Sequence, residues 1–323
     1  MAASTETTQQ AAPDKGAGQG LMDPASLMLI KNLELRAKVV VEGFWNGIHR
    51  SPYHGFSVEF TEYRQYTPGD DIRHVDWRLY ARSDRYFIRK YEDETNLRCH
   101  LLHDGSSSMN YGSIGHTKAE YAATLCATLA WFLFQQGDAV GLLSFADGLE
   151  DYLPARNRPG HLKRLMLALE KVPDGRVSDI CSALDKTMQI VRKRGMVLIV
   201  SDFLTSLDEL EKQLGMLQAF RHEVEVVQVL DPAEISFDLD ETAVYVDLET
   251  GEEKFLDPQA ARGEYQRNFG EHQERLKAIC EKLGIGFRSI RTDQPFEMAL
   301  FDFLKSRMRG QKIGGAGSRR TRS

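Results

Sequence analysis

Carboxylate and hydroxyl side chains follow two apolar segments of the chain, at the point where each segment ends. Asp104 follows the first segment, and Ser106 and Ser108 come after it at alternate positions. Asp202 follows the second segment. The carboxyl ends of parallel strands meet at one rim of a sheet, where the connecting loops bind ligands. We therefore expect Asp104 and Asp202 to lie on the same rim.

A third loop adds a hydroxyl on Ser178 and a carboxylate on Asp179, at the start of a predicted helix. Two carboxylates with several hydroxyls form an all-oxygen site, which suits a hard cation such as Mg²⁺ or Mn²⁺. Mg²⁺ keeps several waters and commonly takes only one or two carboxylates. Because neutral hydroxyls leave such an ion under-neutralised, we expect it to attract an acidic group from outside the chain. The pattern therefore favours partner binding over hydrolysis.

Other interpretations of the loop at residues 104–108 remain open. A serine-rich turn could simply cap the next helix. The sequence Gly105-Ser-Ser107-Ser-Met109 approaches the GxSxG nucleophile elbow of serine hydrolases, although Met109 replaces the final glycine. That enzyme would need a histidine beyond a later strand, but His222 precedes a strand and His272 lies within a helical segment. A metal-dependent phosphohydrolase is a further alternative.

Apolar strand candidates alternate with helix candidates from residue 97 onward. The strands are near-continuous apolar runs, as expected where helices cover both faces of a parallel sheet. This alternation predicts an α/β fold with a doubly wound, mostly parallel sheet. The predicted strands are residues 97–102, 139–145, 196–201, 224–230 and 285–290, and the predicted helices lie near 117–136, 160–171, 178–193, 206–220 and 260–283, with a last helix from Pro295.

Two of these helices begin with capping-box sequences, Thr117-Lys-Ala-Glu120 and Ser206-Leu-Asp-Glu209. The first helix is apolar almost all round, which indicates a helix in the protein core. Acidic strand candidates at residues 243–248 and 253–256 predict a peripheral hairpin.

Four regions are predicted along the chain. They are a disordered tail at 1–22, a region at 23–95 that contains a helix from Pro24 to about residue 41 and a small β-rich unit, the α/β domain at 96–308 and a basic disordered tail at 309–323. A cluster of acidic and arginine residues around Trp77 is interpreted as ion pairs that fix the β-rich unit to the α/β domain, with a second functional surface as the alternative.

Composition narrows the class of protein. The chain is 42% hydrophobic and 27% charged, which is ordinary for a soluble globular protein, and its net charge of −6 argues against general nucleic-acid affinity. It has neither a signal peptide pattern nor a run of about 18 apolar residues, so we expect a cytoplasmic protein without a membrane span. Without CxxC spacing, reduced and buried thiols are expected for Cys99, Cys126, Cys181 and Cys280.

The Asp104-x-Ser106-x-Ser108 pattern after an apolar strand resembles the metal-ion-dependent adhesion site of von Willebrand factor A domains. The resemblance covers roughly residues 97–308 and implies a Rossmann-like topology and a binding function. In that family a threonine from a second loop and an aspartate from a third complete the site. Those roles map onto Ser178, which lacks the threonine methyl, and onto Asp202; Asp179 could compete with Ser178.

The preceding block, residues 59–94, resembles a bacterial domain-of-unknown-function family (DUF58 type). That family joins such a block to a von Willebrand A-like domain, and its members tend to accompany MoxR-type AAA+ ATPases. The resemblance therefore implies a non-enzymatic adaptor with a MoxR-type AAA+ ATPase as partner. It rests on Glu59-Phe60, Tyr63-Arg64, Tyr66, residues 69–73, Asp76-Trp77 and Arg82.

Overall fold

The computed structural model describes residues 22–50, 63–65, 87–89, 97–171, 179–237, 243–249 and 251–305. Several predictions concern residues outside these ranges. They are the disordered tail before residue 22, the Asp–Arg cluster at residues 70–78, the basic C-terminal tail and the candidate ligand Ser178. The division into four regions stays a prediction.

Two helices open the described chain, where the sequence pattern predicted a single one. Helix α1 (Pro24–Met28) is capped by Asp23, and α2 (Leu33–Arg50) continues beyond the predicted end near residue 41. The Asn32 side chain accepts the backbone N–H of Leu35 at 2.8 Å, so it caps a new helix at this point. The apolar periodicity continues through the break, because α1 and α2 pack on the same core.

Two short antiparallel strands follow, β1 (Tyr63–Gln65) and β2 (Phe87–Arg89). They belong to the segment predicted to be β-rich.

Six strands form the central sheet in the described part of the chain. In space their order is β10-β7-β6-β3-β4-β5, and every neighbouring pair is parallel except β4 with β5. This arrangement confirms the predicted doubly wound, mostly parallel sheet. The strands are β3 (Arg98–Asp104), β4 (Ala139–Phe145), β5 (Leu149–Arg156), β6 (Met196–Ser201), β7 (Glu223–Leu230) and β10 (Gly286–Arg291).

The edge strand β5 was not predicted from the sequence. It returns antiparallel to β4 after a tight turn at residues 146–148, and it is only partly buried. Its residues, Leu-Glu-Asp-Tyr-Leu-Pro-Ala-Arg, include three charges and a proline, which suit an exposed edge. A search for apolar runs passes over such a strand.

Helices cover both faces of the sheet. On one face α3 packs with α2, α4 and the last helix, and on the other face α5, α6 and α8 form a second apolar layer. The helices are α3 (Lys118–Gln135), α4 (His161–Leu169), α5 (Ile180–Ile190), α6 (Leu207–Ala219), α7 (Pro232–Ser236), α8 (Pro258–Leu283) and α9 (residues 296–305).

Helix α3 lies within the core, as predicted. Its residues Tyr121, Leu125, Leu129, Phe132 and Leu133 are all buried. No helix among the described residues combines the length and the apolar character that a bilayer crossing requires.

One of the two predicted capping boxes is formed. Thr117 and Glu120 exchange hydrogen bonds with each other's backbone at the start of α3. Ser206 makes no side-chain capping bond at the start of α6, so the second prediction was wrong. A capping box that was not predicted opens α7, where Asp231 and Glu234 pair in the same way. The predicted hairpin is present as β8 (Ala243–Val246) and β9 (Glu253–Leu256).

The strand order creates a crevice at the carboxyl end of the sheet. From β3 the chain builds outward on one side through β4 and β5, and then on the other side through β6, β7 and β10. Connections therefore leave β3 and β6 in opposite directions, and ligands of doubly wound sheets bind at this switch point. Asp104 ends β3, and Asp202 directly follows β6.

Candidate functional site

Asp104 is completely buried at the end of β3. One carboxylate oxygen accepts the backbone N–H of Ser106 at 2.9 Å, and the other accepts the hydroxyl of Ser201 at 2.5 Å. Burial and the nearby charge of Asp202 raise the pKa of Asp104 to about 6, although hydrogen bonds from Ser201 and Ser106 oppose the rise. The site thus holds a carboxylate whose charge is costly without a cation.

The two serine hydroxyls of the Asp104 loop converge. The hydroxyl oxygens of Ser106 and Ser108 lie 3.1 Å apart. A short 3₁₀ turn, Ser107–Asn110, follows Ser106, and Met109 anchors this turn in the core because its side chain is fully buried. Met109, which takes the place of a glycine in the nucleophile-elbow pattern, therefore fixes the loop through packing.

Asp202 lies in a tight turn after β6. Its Oδ1 accepts the N–H of Leu204 at 3.2 Å. The next residue, Phe203, has a φ of 58°, a left-handed conformation that is unusual for a bulky side chain and typical of functional loops. The Ser201 hydroxyl accepts the N–H of Phe203 at 3.0 Å while it donates to Asp104. Ser201 thereby couples the two aspartate loops, a role that sequence reasoning missed.

A buried lysine also reaches this rim. The ammonium of Lys118, at the start of α3, lies 2.8 Å from Oδ2 of Asp202 and 2.6 Å from Oε1 of Glu234 on α7. Burial alone would lower the pKa of Lys118, but the charges and hydrogen bonds of the two carboxylates outweigh it and raise the pKa above its ordinary value. Lys118 is therefore a charged group in the interior. In the sequence, Lys118 was noted only as one of the two residues between Thr117 and Glu120 of the predicted capping box.

A third aspartate, Asp231, directly follows β7 at the same rim. It is fully buried, and it accepts hydrogen bonds from the backbone and hydroxyl of Ser113 in the loop before α3. The sequence carried a signal for it, because Asp231 follows an apolar strand just as Asp104 and Asp202 do. Its partners indicate that it orders the loop between the 3₁₀ turn and α3.

The third predicted loop is represented by Asp179, the first described residue after Ser178. Its backbone N–H donates to the carbonyl of Ala146 at 3.0 Å, and the N–H of Gly105 donates to the neighbouring carbonyl of Phe145 at 2.7 Å. The loop that contains Gly105 and the residue Asp179 are thus both attached to the end of β4. The Asp179 carboxylate accepts the N–H of Ser182 and caps α5.

The candidate metal ligands Asp104, Ser106, Ser108 and Asp202 offer only oxygen atoms to a metal ion. Within the described residues there is no cluster of three or more histidine, cysteine, aspartate or glutamate side chains with metal-binding geometry. One carboxylate with two neutral hydroxyls fits a hard cation that keeps part of its water shell, rather than a transition metal.

The histidines considered for a serine hydrolase are engaged elsewhere or lie at the other end of the sheet. The Nε2 of His272 donates to the carbonyl of Phe203 at 3.0 Å. His222 is buried immediately before β7 begins, at the amino end of that strand, whereas Ser107 lies beyond the carboxyl end of β3. This placement gives the hydrolase alternative no support.

The chain was compared with known proteins. A family model described as "Protein of unknown function DUF58" matches residues 62–275, which include Asp104, Lys118 and Asp202. The uncharacterized protein Rv1480 of Mycobacterium tuberculosis is 29% identical over 297 residues, covering 90% of this chain and 93% of that protein.

Two solved structures align with part of this chain. An aerotolerance-related membrane protein of Bacteroides fragilis aligns with a TM-score of 0.44 at 13% identity, covering 63% of this chain and 94% of that chain. The VWA domain of SpRpn10 aligns with a TM-score of 0.40 at 11% identity, covering 64% of this chain and 94% of that chain.

Proposed function

This chain belongs to the family described as "Protein of unknown function DUF58", as the sequence resemblance predicted, and we propose that it is a non-enzymatic protein-binding module that presents a divalent cation to a partner. The observation that carries the proposal is the meeting of one buried carboxylate and two hydroxyls at the switch point of the sheet. Asp104, Ser106 and Ser108 supply these groups. Mg²⁺ is the expected ion, and Mn²⁺ can replace it.

The charge of this donor set explains why an ion held there would bind an acidic partner. Asp104 supplies one negative charge, and the hydroxyls of Ser106 and Ser108 supply none. A divalent ion held by them keeps a net positive charge and open coordination positions. An aspartate or glutamate of a partner can fill one such position and neutralise that charge. Ser178 and Asp202 complete the proposed site.

The proposed partner is a MoxR-type AAA+ ATPase, for which this chain would act as an adaptor. This step rests on the resemblance of the block at residues 59–94. The acidic residue that completes the coordination would then belong to the ATPase.

Titration calorimetry with Mg²⁺ and Mn²⁺ tests the metal site, and a pull-down with a MoxR-type ATPase tests the partner. We expect Asp104→Ala to abolish metal binding and capture of the ATPase without unfolding the chain, because the carboxylate that meets the two serine hydroxyls is lost. Asp185→Ala is a matched control, since Asp185 is exposed on α5. Capture that survives both Asp104→Ala and EDTA would contradict a metal bridge.

A further inference from the structure

Lys118 forms two ion pairs at the carboxyl rim of the sheet, and the cation-binding proposal does not use them. The Lys118 side chain has 0% exposure, and the side chains of its partners Asp202 and Glu234 have 1% and 17%. The lysine comes from the first turn of α3, while the carboxylates follow β6 and begin α7. One ammonium thus joins three elements at the carboxyl end of the sheet.

This pairing occupies Asp202. Its Oδ2 accepts from the Lys118 ammonium at 2.8 Å, and its Oδ1 accepts from the N–H of Leu204 at 3.2 Å. Its backbone carbonyl is also held, by the side-chain amide of Gln228 at 2.9 Å. Oδ2 would have to give up the ammonium, or share it with the ion, before it could bind a metal ion at Asp104. In a buried site, a charge separated from its partner is strongly disfavoured.

We propose, on the basis of the cation site proposed above, that Lys118 is a positioning residue that holds Asp202 out of direct contact with the divalent ion. Asp104, Ser106 and Ser108 then bind the ion directly, and Asp202 acts on it through water. The ion keeps more of its positive charge than it would with two directly bound carboxylates. Lys118 therefore lowers the affinity of the site for the ion and preserves its attraction for an outside carboxylate.

Glu234 makes this arrangement testable without a change in net charge. Lys118, Asp202 and Glu234 together carry a formal charge of −1. The double variant Lys118→Met/Glu234→Gln also carries −1 and leaves Asp202 free, whereas Lys118→Met/Asp202→Asn carries −1 and leaves Glu234 instead. The two variants differ only in which carboxylate remains, so a general electrostatic effect would change both alike.

The experiment is titration calorimetry of the full chain with Mg²⁺, with circular dichroism as a check of folding. We expect Lys118→Met/Glu234→Gln to bind Mg²⁺ about tenfold more tightly than the native chain, the scale on which outer-shell partners change metal affinity. Lys118→Met/Asp202→Asn should bind Mg²⁺ more weakly than the native chain, because it lacks the carboxylate that acts on the ion through water. If the first variant does not fold, Lys118→Gln/Glu234→Gln keeps a hydrogen-bond donor beside Asp202 and should show the same tightening.

Each outcome separates this proposal from the metal site itself. Equal affinity in the native chain and both double variants would overturn the role of Lys118 and leave the metal site standing. Equal tightening in both double variants would also overturn it, since Asp202 would then have no special part. If only Lys118→Met/Glu234→Gln binds Mg²⁺, the role of Lys118 is supported, but the native chain lacks the proposed function. If none of these chains binds Mg²⁺, both proposals fail.

Discussion

At the scale of single residues, two buried side chains of the rim carry opposite charges and have different partners. Asp104 accepts hydrogen bonds from the neutral donors of Ser106 and Ser201. Lys118 is held between two carboxylates, which keep it protonated. Burial and the nearby charge of Asp202 disfavour the charged form of Asp104, and a bound cation would favour it. The two aspartates of the rim therefore differ in their partners, since Asp202 is paired with the Lys118 ammonium.

The thiols provide a test at the same scale. Cys99, Cys126 and Cys280 are buried, and burial raises the pKa of Cys126 and of Cys280 to about 12, whereas Cys181 is partly exposed. Because the reagent must reach the sulfur, we expect Ellman's reagent to label only Cys181 in the native chain. The labelling should be slow, since burial and the charges of Glu209 and Asp179 raise the pKa of that thiol too. Unfolding in guanidinium should release the other three, and Cys181→Ser should remove the native reaction. Rapid labelling of more than one thiol in the native chain would contradict the buried placement.

At the scale of elements, α3 connects the core to the rim. Its first residue supplies the ammonium that pairs with Asp202, and its remaining length packs against α2, α4 and one face of the sheet. The Arg36 guanidinium of α2 donates to the Thr124 hydroxyl of α3 at 2.7 Å, so the N-terminal helix contributes a buried polar contact as well as apolar packing. The position of α3 therefore decides where Lys118 lies. Substitutions that weaken the packing of α3 should lower the free energy of unfolding.

A pair of leucine substitutions measures this packing. Leu129 of α3 is 2% exposed, and Leu167 of α4 is 56% exposed. Leu129→Ala should lower the free energy of unfolding by about 2–5 kcal/mol, because a cavity remains in the core. Leu167→Ala should change it by less than about 1 kcal/mol, because an exposed side chain leaves no cavity. Urea unfolding followed by circular dichroism gives both values, and similar losses would argue against a core position for α3.

At the scale of the whole molecule, the stability of the sheet is linked to pH through a buried histidine. His100 of β3 lies in the interior, and burial, followed by the charges of His222 and Arg98, lowers its pKa from 6.5 to about 4. The unfolded chain therefore binds a proton between pH 6.5 and 4 that the folded chain does not. Stability is retained above pH 6.5 and is lost as the pH falls through this window.

The size of this effect can be measured with one substitution. Full loss of the His100 contribution amounts to at most about 3 kcal/mol, from the size of its pKa shift. His100→Leu should therefore lose less stability between pH 7 and pH 5 than the native chain does. Urea midpoints at the two pH values provide the comparison. Parallel losses in the two proteins would show that His100 is not the group responsible.

Local sequence features determined the class of the fold and the placement of the two aspartates. Continuous apolar runs favour buried parallel strands, and a residue that directly follows such a strand must lie at the carboxyl rim. This local rule is enough to place Asp104 and Asp202 at that rim. The Thr117–Glu120 box was equally local, because its four residues contain every atom that it needs. The missed break before α2 was local too, since its capping residue, Asn32, is visible in the sequence.

Tertiary structure alone decided which groups meet across long separations. It placed β3 next to β6, added β5 as an antiparallel edge, and paired Lys118 with Asp202 and Glu234, which lie 84 and 116 residues away along the chain. Sequence patterns report hydrogen bonding within a few residues and the burial of one face. They do not report the order of strands or the approach of a charged side chain from another element. The charge balance of the rim depends on those approaches, so it became visible only in the folded chain.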